Sequence, residues 1–180
     1  MLLGVDYYPE QWDTSLMEAD MDRILELGCN VIRIGEFAWH RMEKQEGQFD
    51  FSYFDGVIAM AKQKGLQVIF GTPTATPPAW LITKYPDILS RFPDGSPRAF
   101  GGRHVACYSN PHYLEACRKI ITALAEHYRG EESIVACRWT TRSATRQRPV
   151  LVRPLPGRFP LPSGQSLCRG HQQTERYLRH

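Results

Sequence analysis

An α/β fold of the (β/α)8 TIM-barrel class is predicted, with about the first three to four βα units present, and three observations predict it. Strand-like and helix-like segments alternate along residues 1–136, which implies parallel strands joined by right-handed crossovers. The first strand is not followed by the Gly-rich phosphate turn of a doubly wound nucleotide-binding sheet; Asp6-Tyr7-Tyr8-Pro9-Glu10-Gln11-Trp12 stands there instead. Polar and aromatic residues also sit just past each strand, on the face where barrels build their sites: Tyr7 and Tyr8, then Glu36, Phe37 and Trp39, then residues 72–80. A complete barrel takes about 250 residues, so 180 hold only part of one.

The elements follow in order. Leu2-Leu3-Gly4-Val5-Asp6 is a short apolar run that reads as the first strand. Asp13 or Thr14 then caps a helix in which Met17, Met21, Ile24 and Leu25 recur at helical spacing, and Gly28 stops it. Val31-Ile32-Arg33-Ile34 is the second strand, and Phe54, Val57, Ile58 and Ala61 form the apolar stripe of a helix ending at Gly65. The third strand is Gln67-Val68-Ile69-Phe70. A long Pro-rich connection spans residues 72–108. Asn110-Pro111 then supplies a cap and a first-turn proline for a helix with Leu114, Cys117, Ile121, Leu124 and Tyr128 on one face. Ser133-Ile134-Val135-Ala136 begins a fourth strand.

Composition changes sharply at Cys137. Residues 137–180 carry nine Arg, no Lys, five Pro and one acidic residue, Glu175, so this segment is about +8 while the whole chain is +3 and residues 1–136 are about −5. With 42% hydrophobic and 11% aromatic residues the chain can build a core. No basic, apolar, small-residue leader opens it and no run reaches the length of a membrane span, which predicts a cytoplasmic protein with no membrane partner. Five scattered cysteines fit a reducing compartment better than a disulfide framework.

Aromatic residues interleaved with carboxylates and an Arg at strand ends suit a sugar, whose rings stack on aromatic faces and whose hydroxyls bond planar polar groups. Trp12, Trp39 and Trp80 fit that role or plain packing at the barrel rim. Glu36, on a strand-end loop without a basic residue four positions on, is the leading functional carboxylate. Arg103, in Gly101-Gly102-Arg103-His104, is either a solvated loop cation or a substrate contact. His40 and His104 read as surface or satisfied core histidines. Cys107 and Cys117, ten apart, do not make a metal site by spacing, and Ser109-Asn110-Pro111 is most simply a helix cap.

Four segments carry a family resemblance: Gly4-Val5-Asp6-Tyr7-Tyr8-Pro9-Glu10-Gln11-Trp12; Arg33-Ile34-Gly35-Glu36-Phe37-Ala38-Trp39; Gly71-Thr72-Pro73-Thr74-Ala75-Thr76-Pro77-Pro78-Ala79-Trp80; and Gly101-Gly102-Arg103-His104. In this order they closely resemble the start of the glycoside hydrolase family 42 β-galactosidases, over essentially residues 1–136. The resemblance implies a barrel that removes terminal β-linked galactose with retention of configuration, in a bacterial enzyme of carbohydrate metabolism that is commonly a homotrimer. It implies an acid/base glutamate directly after the fourth strand and a nucleophilic glutamate much later in the barrel. Arg103 matches the family's galactose-binding arginine, and Glu36 falls in the same pocket. Cys107 matches the first zinc cysteine of members that carry a structural zinc; no cofactor is required for the reaction.

The family continues its fourth strand as Trp-Gln-x-Asp-Asn-Glu, whereas this chain reads Cys137-Arg138-Trp139-Thr140-Thr141-Arg142. The genetic code tests whether the motif is hidden. Trp139 is TGG and every Thr codon begins AC, so the frame starting on each third base is forced to read aspartate across residues 139 and 140. That frame permits Gln-Val-Asp-Asn-Glu over the whole stretch. The other shifted frame permits cysteines across Val150-Leu151, Val152-Arg153 and Leu155-Pro156, the spacing of the remaining zinc ligands. A frameshifted segment, from a pseudogene or from a sequencing error, explains both.

The predicted organisation is therefore an N-terminal barrel portion over residues 1–136 and an out-of-frame, disordered tail over residues 137–180. Nine arginines without lysine, interleaved aromatics or a fold motif do not make a nucleic-acid site. No hydrolysis is expected of the chain itself, since both catalytic glutamates are absent. A non-catalytic glycan-binding fragment is the alternative reading. Uncovered sheet edges and helix faces predict a tendency to aggregate.

Overall fold

A computed structural model of the protein describes residues 1–138. Four parallel strands form its sheet: β1 (Gly4–Asp6), β2 (Val31–Ile34), β5 (Gln67–Gly71) and β6 (Ile134–Arg138), in the order β1-β2-β5-β6. Strands adjacent in this order are joined by helical crossovers, the arrangement expected for consecutive units of a barrel. The register sets Asp6 opposite Arg33, Ile34 opposite Phe70, and Gly71 opposite Arg138. Among the described residues no helix is long and apolar enough to cross a membrane.

The first crossover helix, α1 (Met17–Glu26), is preceded by a 3-10 turn, Thr14–Leu16, whose cap is Asp13; its carboxylate accepts from the Ser15 amide at 2.9 Å. The predicted cap is thus real and serves the entry turn. Met17, Met21 and Ile24 are buried beneath it. A segment that periodicity did not reveal follows β2. It consists of the one-turn helix α2 (Trp39–Met42) and a hairpin of β3 (Glu43–Gln45) with β4 (Gln48–Phe49). Elements of two to four residues are too short to show a period.

The second crossover helix, α3 (Ser52–Gln63), buries Phe54, Val57, Ile58 and Ala61, the stripe expected of it. The long connection after β5 is more ordered than its prolines suggested. It holds a 3-10 turn at Pro73–Ala75, the short helix α4 (Ala79–Lys84) and a further turn at Pro86–Ile88. Leu89 and Ala106 then pair across an antiparallel bridge. Helix α5 (Pro111–His127) begins at Asn110, whose side chain accepts from the amides of His112 and Tyr113.

The buried face of α5 differs from the expected one. Tyr113, Ala116, Cys117, Ile120 and Leu124 point inward, whereas Leu114 is 50% exposed. Tyr113 decides the rotation. Its ring lies 6.3 Å from Trp39 and its hydroxyl donates to the Thr74 carbonyl at 2.6 Å, a buried contact that hydrophobic spacing alone does not rank. The core joins this face to Ile32, Ile34, Val68 and Phe70 of the sheet and to Phe54 and Val57 of α3.

β6 continues through Cys137 and Arg138, two residues past the predicted boundary at Ala136. Strand pairing uses backbone groups, so a change of side-chain composition need not stop it. The expectation of disorder farther along the tail falls on residues 139–180, outside the described residues.

Candidate sugar site at the strand ends

The carboxyl ends of the four strands converge on a charged cluster. Arg33 lies at the third position of an otherwise apolar strand, and its register partner is Asp6. Its guanidinium pairs with the Asp6 carboxylate, donates to the Tyr8 hydroxyl at 3.3 Å and meets Glu36 at 3.1 Å. Arg138, at the end of β6, approaches the same Glu36 oxygen at 3.5 Å, and the Tyr8 hydroxyl donates to it at 3.4 Å. Glu36 is 4% exposed, so this nearly dehydrated carboxylate depends on its cationic and phenolic neighbours. Burial pushes the Tyr8 phenol above its ordinary value, while the bond from Arg33 pulls it back.

Two glycines make room for Glu36. Gly35, at φ +82°, turns the chain sharply at the end of β2, in the left-handed region where side chains strain the backbone. Gly71 lets β5 run against Glu36, since a Cβ there would stand 2.9 Å from the Glu36 Cβ. The next residue, Phe37, reaches back over the site. Its ring sits 5.3 Å from Tyr8, and its carbonyl accepts from the Thr76 hydroxyl at 2.9 Å.

Arg103 arrives from the distant loop before α5. Its guanidinium carbon lies 4.2 Å from the Phe37 ring centre, so the structure brings the two expected sugar contacts, Glu36 and Arg103, to opposite ends of one aromatic bridge. Among the described residues Arg103 has no hydrogen bond or ion pair, and its side chain is exposed. The loop itself is tied down at the next residue. His104 takes a left-handed φ of 57°, its amide donates to the Ala75 carbonyl at 2.8 Å, and its ring contacts the Tyr108 hydroxyl at 2.6 Å. His104 therefore anchors the loop, in keeping with a satisfied histidine.

The tryptophans divide. Trp39 is fully buried and donates to the Glu43 carboxylate at 2.7 Å, while Trp80 donates to the Glu43 carbonyl at 2.9 Å. Both are packing residues that fasten the β3–β4 hairpin. Trp12 is 63% exposed in the loop after β1. His40 is exposed on α2.

Cys107 is half-buried on the loop before α5. The described residues contain no group of three or more His, Cys, Asp or Glu that would hold a metal ion. Of the zinc cysteines the resemblance implies, this chain carries only Cys107, which is not a free thiol here; positions 150–156, outside the described residues, read Val-Leu-Val-Arg-Pro-Leu-Pro and supply no thiolate. Cys117, the cysteine ten positions on, is a buried core thiol pushed up to about 12 by its surroundings.

Sequence reading missed the hub role of Arg33, the part played by Asp6 and the stacking partner of Arg103. A signal for the first existed: a lone Arg inside Val31-Ile32-Arg33-Ile34, one of the sheet's inner strands, calls for a buried acidic partner. Nothing local signalled the Phe37 and Arg103 pair, which are 66 positions apart.

Parallel strands with a polar cluster at their carboxyl ends define the class: the opening units of an enzyme barrel of the (β/α)8 type. Comparison with known proteins specifies it further. Residues 6–147 match the glycoside hydrolase family 42 model, described as beta-galactosidase, and the chain belongs to that family. It is 46% identical over 133 residues to a beta-galactosidase of Thermus thermophilus, a match covering 74% of this chain and 21% of that protein. It is 38% identical over 128 residues to the beta-galactosidase BgaH of Haloferax lucentense, covering 71% of this chain and 19% of that one. Among solved structures, the beta-galactosidases of Halorubrum lacusprofundi and of Bacillus circulans sp. alkalophilus superpose with TM-scores of 0.73 and 0.74. Each is 34% identical and covers 77% of this chain and 21% of that chain. The chain thus spans about a fifth of the length of the relatives it matches.

Proposed function

We propose that this chain carries the galactose-recognising opening of a retaining β-galactosidase and does not itself hydrolyse β-galactosides. The observation that carries the reading is that Glu36, through Tyr8, and Arg103, directly, meet at Phe37 on the strand-end face. A planar, exposed guanidinium and a carboxylate held by Arg33 are suited to the hydroxyls of a terminal galactosyl unit. Hydrolysis with retention needs two carboxyl groups about 5–5.5 Å apart across the scissile bond. Arg142 stands where the family motif calls for the acid/base glutamate, and an arginine cannot give or take the required proton at neutral pH.

The same reading takes residues 137–180 as the product of a shifted frame, and an intact relative as a cytoplasmic bacterial homotrimer in which the cysteine matching Cys107 opens a structural zinc site. The second reading is a fragment retained for glycan binding alone, which requires a core protected in hydrogen exchange as well as saturable binding. The deciding experiment is incubation of rigorously purified chain with a chromogenic β-galactoside, beside calorimetric titration with galactose. Saturable binding without turnover is expected, and Arg103→Ala abolishes the binding. Turnover overturns the claim of inactivity. Absence of binding, or binding untouched by Arg103→Ala, overturns the assignment of the site. Resequencing the DNA across codons 130–160 tests the frame: restored bases are expected to yield Gln-Val-Asp-Asn-Glu and a long open frame.

A further inference from the structure

Phe37, we propose, is a positioning residue that fixes the plane of the Arg103 guanidinium and couples it to Glu36; this rests on the sugar-binding reading of the site. An arginine on an exposed loop normally samples many rotamers, and ordering it for a ligand costs up to about 2 kcal/mol of side-chain entropy. Here the guanidinium carbon is held 4.2 Å above the Phe37 ring, within the range of a cation–π contact. Stacking covers one face of the guanidinium and leaves its edge, which bears the N–H donors, open to a ligand.

The ring is not free to follow Arg103 about. Phe37 is packed against Tyr8, at 5.3 Å and 51° between ring planes, and its backbone is held by the Thr76 hydroxyl at 2.9 Å. Tyr8 in turn bonds Glu36 at 3.4 Å and accepts from Arg33 at 3.3 Å. The contacts therefore run without a break from the end of β1 through Tyr8 and Phe37 to Arg103. The loop end is fixed independently by the His104 amide on the Ala75 carbonyl, so both termini of the bridge are anchored. Phe37 carries the Arg103 guanidinium over its ring and acts on the sugar through the arginine.

The test compares the wild-type chain with Phe37→Leu and Phe37→Tyr by NMR of the arginine side chains and by titration with galactose. Wild type is expected to show the Arg103 Hδ and Nε–H signals displaced upfield by the ring current. Phe37→Leu removes that displacement and weakens galactose binding about 2- to 5-fold, the loss of an exposed cation–π contact. Phe37→Tyr keeps both. A galactose affinity unchanged in Phe37→Leu, or Arg103 signals undisplaced in wild type, overturns the proposal. A chain that shows the displacement yet binds no galactose upholds the stack and refutes the sugar reading instead.

Discussion

Replacing Gly35 by alanine perturbs the hinge that presents Glu36, and its cost can be worked from the structure. Gly35 lies at φ +82°, where an L side chain costs about 1–2 kcal/mol. The new Cβ also stands 2.5 Å from Cε1 and 3.1 Å from Cζ of Phe70. That ring is fully buried and wedged between Phe54 at 5.6 Å and Tyr128 at 5.3 Å, so it has little room to retreat. Overpacking of this kind adds about 1–3 kcal/mol, for a total of roughly 2–5 kcal/mol. Gly65 is the internal reference. It has nearly the same φ, +75°, and open space where its Cβ would go, so Gly65→Ala bears the backbone strain alone. Urea unfolding at low micromolar concentration, followed by tryptophan fluorescence, measures both. Gly35→Ala is expected to fall below Gly65→Ala by about 1–3 kcal/mol, the contribution of the ring contact. Equal losses in the two variants would refute the claim that Phe70 is rigidly packed behind the site.

The remaining predictions concern pH. Among the described residues neither buried Glu10 oxygen has a well-formed hydrogen bond, and burial raises its pKa above the ordinary 4.5 against weaker pulls from its own backbone amide and then from Arg41. A raised carboxyl favours folding only while protonated in both states, so its share of stability declines as pH climbs from 4.5 through the folded value. Glu10→Gln is expected to flatten that decline and to stabilise the chain at pH 7; a variant with an unaltered pH–stability curve contradicts it. Glu131 behaves oppositely. The Ser133 amide, then Lys62 and the Ser133 hydroxyl, pull it down to about 2. Its contribution is present above 4.5 and disappears as pH falls toward 2, and it is small because the side chain is solvated. Stability curves for wild type and Glu131→Gln should converge by about pH 2, and a gap that persists there argues against the assignment.

Much of the scaffold was legible in the chain because its signals are local. The stripes of α1 and α3, the Asn110 cap and the apolar runs of all four strands each depend on residues within a few positions of one another. Spacing became ambiguous where two faces were nearly equal in apolar content. On α5 the expected stripe and the buried one share Cys117 and Leu124, and Tyr113 tipped the choice through contacts with Trp39 and Thr74. Glu36 stood out as a strand-end carboxylate, yet its neighbours come from β1, β2 and β6 and were not recognisable by order along the chain. The tryptophans mark the limit of composition as evidence. Trp39 and Trp80 look as apt for stacking a sugar as Trp12 does, but both spend their indole N–H groups on Glu43.

By itself the sequence determined that the strands are parallel, that polar and aromatic residues gather at their carboxyl ends, and that the composition breaks near Cys137, because these follow from periodicity, residue type and charge. The tertiary structure alone decided how the site is wired. Strand register set Arg33 against Asp6, and the close approach permitted at Gly71 let Glu36 lie against β5. The fold of residues 72–108 carried Arg103 onto Phe37, a contact between positions 66 apart. Such contacts depend on distances that only the pairing of the sheet and the packing of its crossovers define, and no local pattern encodes them.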